Sequence, residues 1–167
     1  DVKEDMGSIV KVSAMVEKPA PGTAPSSLAV IGRYILSPKI MQNLAPGAML
    51  AVRLPEAALR AELSEALDLA AINSPSLCVA SGPIQDIDKL KGRLTAKGIA
   101  CRLLDVSHAF HSRALDPVLG EVETAARASH LAAPQIPIVS CVTGDWATAA
   151  EMTDPQYWAR HGRAPVR

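Results

Sequence analysis

Between Met49 and Leu104 the spacing of apolar residues switches back and forth between the strand and helix periods, and this constrains the fold more than anything else in the chain. Met49-Leu50-Ala51-Val52-Arg53-Leu54 is a short apolar run suited to a buried strand. Pro55 follows, a residue that opens helices and cannot continue a ladder. Leu59, Leu63 and Leu67 then recur every four residues, which marks one face of a helix. Leu69 to Ile72 predicts a second strand, Asn73-Ser74-Pro75 a turn, and Leu77-Cys78-Val79-Ala80 a third strand. Ile87, Leu90 and Leu94 line a second helix that Gly98 stops, and Ile99 to Leu104 supplies a fourth strand. The predicted order is β-α-β-β-α-β, a split β-α-β arrangement.

The flanks are less regular. Ile9 to Val16 alternates weakly and predicts a strand, whereas Pro19-Ala20-Pro21-Gly22-Thr23-Ala24-Pro25 excludes regular structure. Leu28 to Leu36 is apolar and β-branched, interrupted at Gly32-Arg33, and reads as a buried strand. Ser37-Pro38 then opens a short helix running to Leu44, with Ser as N-cap and Pro at the first helical position. Past Ser107, Asp116-Pro117 starts a helix with Val118, Val122 and Ala125 or Ala126 inward. Ile136 to Val142 forms a short strand after Pro134, ended by Thr143-Gly144, and Asp154-Pro155 caps a last helix carrying Tyr157 and Trp158. The fold class is therefore α+β in three segments: a foreign strand–strand–helix piece over 1–45, a ferredoxin-like subdomain over 46–106, and part of an α/β subdomain over 107–167. One strand makes no sheet, so the last segment needs partners. The edges of Leu28 to Leu36 and Ile136 to Val142 predict pairing with each other or a homodimer formed through them.

Charge and cysteine content narrow the function classes. Seventeen basic residues balance seventeen acidic ones, which leaves no electrostatic footprint for nucleic acid or an anionic membrane surface. No apolar run reaches the length of a membrane span, and Asp1-Val2-Lys3-Glu4-Asp5 is no signal peptide. The start without Met points to a piece of a longer protein or a processed N-terminus. Cys78, Cys101 and Cys141 are scattered with no C-x-x-C, which fits a reduced cytoplasmic chain rather than a disulfide framework or a zinc site.

The densest chemical signal is Ser107-His108-Ala109-Phe110-His111-Ser112, at the exit of the fourth strand. A histidine there suits a general base, because its pKa lies near neutrality and either ring nitrogen can hold the proton. Spacing alone leaves open a loop that merely contains two histidines. His-x-x-His offers only two metal ligands, with no carboxylate or thiolate pattern to complete a set, so no metal is expected. A nucleophile is missing from the motifs. No two of the ten glycines are four apart, so G-x-S-x-G does not occur, and neither phosphate-cradling glycine loop is present. The three thiols read as small buried hydrophobes.

From about Pro46 the chain resembles the acyltransferase domain of polyketide synthases, a relative of malonyl-CoA:acyl-carrier-protein transacylase. The matching stretches are Gly47-Ala48-Met49-Leu50-Ala51-Val52, Ala70-Ala71-Ile72-Asn73-Ser74-Pro75, Val79-Ala80-Ser81-Gly82, the six residues from Ser107, and Asp116-Pro117. Further on come Ile136-Pro137-Ile138-Val139-Ser140, Val142-Thr143-Gly144 and Asp154-Pro155-Gln156-Tyr157-Trp158-Ala159-Arg160-His161. The resemblance implies a serine acylated from malonyl-CoA, no bound cofactor, and transfer to the phosphopantetheine thiol of an acyl carrier protein within the remainder of the synthase. It implies that His111 is the catalytic base, oriented by a backbone carbonyl near Cys141. His108, Ala109, Phe110 and Cys141 would then border the substrate, with Phe110 crowding out an α-methyl group. The family's nucleophile motif, carboxylate-binding Arg and first oxyanion segment have no match in these residues, so the chain alone is expected to be inactive. A non-catalytic docking module for a carrier protein or linker is the alternative.

Met15-Val16-Glu17-Lys18-Pro19 and Ala24 to Pro38 resemble bacterial UTP–glucose-1-phosphate uridylyltransferase instead. That resemblance implies Glu17 on sugar hydroxyls and Lys18 facing phosphates, the remnant of a nucleotide-sugar site in a fusion of two fragments. The glycine-rich loop and metal-binding Asp of that family are absent.

Overall fold

The computed structural model describes the backbone of residues 2–5, 10–12, 29–31 and 34–36 and all of residues 44–167. Two compact units result, Asp1–Asn43 and Leu44–Arg167. In the first, β1 (Val2–Asp5) pairs antiparallel with β2 (Val10–Val12), and β3 (Ala29–Ile31) with β4 (Tyr34–Leu36). Ile31 lies opposite Tyr34, so the run expected to be one buried strand doubles back as a hairpin. Gly32-Arg33 between two apolar triplets is a two-residue hairpin signal rather than an interruption. Glu17, Lys18 and the helix expected from Ser37-Pro38 up to residue 43 lie outside the described residues.

The second unit is built on a four-stranded antiparallel sheet with strands β5 (Ala48–Val52), β6 (Asp68–Ser74), β7 (Leu77–Gly82) and β8 (Cys101–Leu103), in the order β6-β7-β5-β8. Helix α1 (Glu56–Glu62) connects β5 to β6, and α2 (Ile84–Ala96) connects β7 to β8. Alternation along each strand sends successive side chains to opposite faces. Leu50, Val52, Leu69, Cys78 and Ala80 meet Leu59 of α1 and Ile87, Leu90 and Leu94 of α2 in one core. Met49, Ala70, Ala71 and Val79 make a second cluster against Leu104, Val106, Phe110 and Val166. A register shift between Leu69 and Ala71 marks a bulge that lets both Ala70 and Ala71 join this second cluster.

Gly98 terminates α2 as the pattern predicted, by a specific geometry. At φ 71 it is left-handed, its amide donates to Thr95 and that of Ile99 to Leu94, which is a Schellman cap. Beyond β8, Ser112 caps a 3₁₀ turn (Arg113–Val118) that leads into α3 (Leu119–Ala128). The helix expected to start at Asp116-Pro117 thus becomes α-helical only at Leu119, with Pro117 inside the tighter turn. Val118 and Val122 are buried, Ala126 half-buried and Ala125 exposed. Thr148 and Glu151 form a capping box on α4 (Ala149–Thr153), and Asp154 caps α5 (Pro155–Arg163), with Pro155 at the first position. Helices α3 and α5 pack together.

Ile136 to Val142 is not a strand. One antiparallel bridge joins Val139 to Trp146, and Ile136 remains 72% exposed. Pro137 removes a donor, and a run this short needs a neighbouring ladder that the described residues do not provide. The expected partner of this run, Leu28 to Leu36, has its own strand pairing within the hairpin. The last residues do add a pairing that was not foreseen. Val166 donates its amide to Ala70 (2.9 Å) and accepts from Ile72 (2.8 Å), covering the outer edge of β6.

Two glycines give opposite expectations. A Cβ on Gly47 would lie 2.6 Å from the Ala109 backbone nitrogen and its Cβ, whereas one on Gly92 of α2 meets nothing within 4 Å. Gly47→Ala should destabilise the chain by about 1–3 kcal/mol through overpacking. Gly92→Ala should stabilise it by about 0.5–1 kcal/mol through helix propensity. Urea midpoints of the full chain moving in opposite directions check both.

Candidate active site

Residues 107–112 leave β8 as a tight loop fixed from both sides. Gly47 donates its amide to the Ser107 carbonyl (3.1 Å), which lets Ala109 pack directly on Gly47. The buried Ser112 hydroxyl donates to the Ala109 carbonyl (2.6 Å) and accepts the Ala114 amide (3.2 Å). His108 Nδ1 bonds the neighbouring Ser107 hydroxyl (2.8 Å), and its ring lies 6.1 Å from that of Phe110. Phe110 packs against the second face of the sheet. Ala109 is 1% exposed and serves as packing.

His111 stands apart in its backbone. It is the one described non-glycine residue with positive φ, 54°, a conformation costing roughly 1–2 kcal/mol for a residue with a Cβ. Its Nδ1 lies 3.0 Å from the carbonyl oxygen of Ala164, the residue that ends α5. The last carbonyls of a helix lack intrahelical donors, so an imidazole N–H there satisfies an otherwise open acceptor. A carbonyl only accepts, so Nδ1 carries the proton and neutral Nε2 holds a lone pair. Burial pushes the pKa of His111 below its ordinary value, while the main-chain contacts with Ala164 and His161 oppose that shift without cancelling it. A neutral ring with a basic Nε2 is the state a general base needs.

The surroundings of the ring come from α5. His161 is buried with its ring 6.4 Å away in an edge arrangement, and Tyr157 and Trp158 lie 6.2 and 6.4 Å from His161. The Tyr157 hydroxyl pairs with buried Ser140 (2.8 Å), whose Oγ also accepts the amides of Val142 and Thr143 (both 3.2 Å). That hydroxyl is structural. Among the described residues no serine hydroxyl is hydrogen-bonded to His111, and no group of three or more His, Cys, Asp or Glu could hold a metal ion. The carbonyl that orients His111 is that of Ala164 rather than one near Cys141. The Cys141 carbonyl accepts the Arg167 amide (2.9 Å), because the loop holding it folds against the chain's last residue.

One group escaped the sequence reading. Asp68, at the head of β6, accepts from the Arg113 amide (2.8 Å), from Arg113 Nε (3.1 Å) and Nη2 (3.2 Å), and from Arg163 Nη2 (3.4 Å). Burial raises the Asp68 pKa, but the Arg113 hydrogen bonds and the charges of Arg163 and Arg113 outweigh it and hold the carboxyl below its ordinary value. Its only sequence signal was a lone carboxylate opening an apolar strand, 45 residues before its arginine.

Comparisons with known proteins agree on one family. The acyl transferase domain model matches residues 14–167. A phenolphthiocerol/phthiocerol polyketide synthase of Mycobacterium tuberculosis (strain CDC 1551 / Oshkosh) is 36% identical over 132 residues, covering 79% of this chain and 9% of that protein. Polyketide synthase GfsA of Streptomyces halstedii is 38% identical over 134 residues, 77% of this chain and 2% of that protein. The solved acyl transferase domain of SpnD, in complex with 2-(pent-4-yn-1-yl)malonyl, superposes with a TM-score of 0.72 at 39% identity, over 77% of this chain and 31% of that one. The acyltransferase domain from the second module of the salinomycin polyketide synthase gives 0.71 with the same identity and shares. The chain thus spans under a third of these solved chains and less than a tenth of these synthases. The family match includes Glu17 and Lys18, and the likeness of residues 1–44 to a uridylyltransferase gains no support from these relatives.

The lowered His111 pKa has a signed consequence. Between the folded pKa and the ordinary 6.5, the unfolded chain binds a proton that the folded chain refuses. This contribution to stability is therefore complete above pH 6.5 and declines as the pH falls toward the folded value. His111→Asn tolerates positive φ and keeps a donor for Ala164, so it should change neutral-pH stability by less than about 1 kcal/mol. It should also make the loss on acidification smaller. Urea midpoints of both proteins at pH about 7.5 and about 5.5 measure this difference.

Proposed function

This chain belongs to the acyl transferase domain family, and on that footing we propose that it carries the general base of malonyl transfer from coenzyme A to an acyl carrier protein within a polyketide synthase. The observation supporting this is the His111 ring, held by its Nδ1–H on the Ala164 carbonyl with Nε2 left basic. In the proposed reaction Nε2 takes the proton of a serine hydroxyl as its oxygen attacks the malonyl thioester. The carbon–sulfur bond then breaks, and the proton passes to the departing thiol. Reversal with the carrier thiol as nucleophile releases the serine and forms the new thioester. The malonyl-type ligand named for the related SpnD domain is consistent with this donor class.

No G-x-S-x-G elbow occurs in the 167 residues, so the base acts on a serine that this motif does not provide here, and the chain by itself forms no acyl-enzyme. The β-α-β-β-α-β unit over 46–106 takes the role of the family's ferredoxin-like subdomain, and 107–167 that of part of its α/β subdomain. His108 and Phe110 border the acyl group, and Phe110 disfavours an α-methyl substituent.

Two experiments test this reading. The chain incubated with radiolabelled malonyl-CoA should retain no label, and a stoichiometric serine adduct would refute the proposed inactivity. Residues 44–167, grafted in place of the matching part of the salinomycin second-module domain, should support malonyl transfer. In that graft His111→Ala should lower kcat/KM by about 10²–10⁴-fold. Phe110→Ser should narrow the preference for malonyl over methylmalonyl by about tenfold or more. Unchanged transfer in the His111 variant would remove its assigned role.

A further inference from the structure

We infer that Asp68 is a positioning residue for His111, because its carboxylate ties together the two chain segments that supply the imidazole and the carbonyl orienting it. The inference rests on His111 being the base. One segment reaches Asp68 through Arg113, two residues after His111, by its main-chain amide as well as its side chain. The other reaches it through Arg163, the residue immediately before Ala164. Just beyond Ala164, the amide and carbonyl of Val166 pair with Ala70 and Ile72 of the same strand. Ala164 is thus held between two attachments to β6, and its carbonyl meets His111 Nδ1 at 3.0 Å.

A surface ion pair would contribute little, but this carboxylate is only 14% exposed. Its four hydrogen bonds fill the acceptor capacity of two carboxylate oxygens. The Arg113 pair uses both oxygens, the forked geometry that fixes orientation as well as distance. Such fixing has a specific use here. His111 sits in a backbone conformation disfavoured for its side chain, which persists only when both flanks are pinned. Gly47 on the Ser107 carbonyl pins the flank before it, the Ser112 hydroxyl on the Ala109 carbonyl ties across it, and the Arg113 amide on Asp68 pins the flank after it. Arg163 also bonds Asp116 through Nε (2.8 Å), an exposed contact that reaches neither His111 nor the sheet.

The test reads the tautomer of His111 in the full chain, independently of any transfer activity. Long-range ¹H–¹⁵N correlation of ¹⁵N-histidine protein at neutral pH should show a proton-bearing Nδ1 and a bare Nε2 for His111. Asp68→Asn should collapse this difference toward the averaged shifts of a ring exchanging between tautomers. The signals of His108 and His130 and the amide spectrum of the sheet should stay in place. Asp116→Asn should leave the His111 difference intact. If Asp68→Asn fails to fold, Arg163→Gln decides by the same spectrum, with loss of the difference expected. A folded Asp68→Asn, or Arg163→Gln in its stead, with the His111 difference retained overturns the inference, as does equal change at every histidine. A graft that fails to transfer malonyl while the spectra behave as expected counts against the proposed function and not against this positioning.

Discussion

The sheet formed by β5 to β8 is apolar on both faces, so neither half of the second unit can bury its hydrophobic surface alone. Helices α1 and α2 cover one face with Leu59, Ile87, Leu90 and Leu94. The other face, with Met49, Ala71 and Val79, is covered by Phe110 from the loop after β8 and Val166 from the chain's end. Burial of this kind stabilises by about 25 cal/mol per Å² of apolar surface, enough to draw distant segments onto the sheet. The loop after β8 therefore owes its location to hydrophobic coverage. Phe110 anchors it, and His111 follows directly in the chain.

Polar interactions then fix what burial alone leaves open. Burying an imidazole favours its neutral form but leaves the tautomer undetermined. The open carbonyl at the end of α5 decides the tautomer, because it can bond only to a proton-bearing nitrogen. Helix termination and the choice of tautomer are thus one event at Ala164. The left-handed backbone of His111 is the conformational cost of aiming the ring there while Phe110 points to the sheet.

Family membership gives this arrangement its scale. The matched domains are about three times longer than the part of them this chain covers, and the synthases are many times longer still. Within that part, the exposed Ile136 and Val139 show the cost of an apolar run without a sheet to join. The β6 edge shows the opposite outcome, since a single residue, Val166, pairs with it. Edges with a local partner are closed, and the run expected to be a strand without one stays irregular.

The sequence by itself determined the elements whose signal is local. Ile87, Leu90 and Leu94 announced one helix by their spacing, Gly98 a helix stop, and Asp154-Pro155 a helix start, because each depends on neighbours within one or two turns. The repeat of Leu59, Leu63 and Leu67 overran its helix, which ends at Glu62 with Leu63 already extended, so that Leu67 reaches the core from the approach to β6. The His108-Ala109-Phe110-His111 tetrad was legible as two histidines at the exit of the last strand. Only the tertiary structure decided which backbone carbonyl orients His111, 53 residues away, and which carboxylate steadies that pair, 45 residues from Arg113 and 95 from Arg163. It also paired Ala29–Ile31 with Tyr34–Leu36 and left Ile136 to Val142 without a ladder, since pairing depends on what lies alongside a strand. Periodicity records which face of an element is apolar. Which other segment covers that face is settled by packing across the whole chain, and no local spacing encodes it.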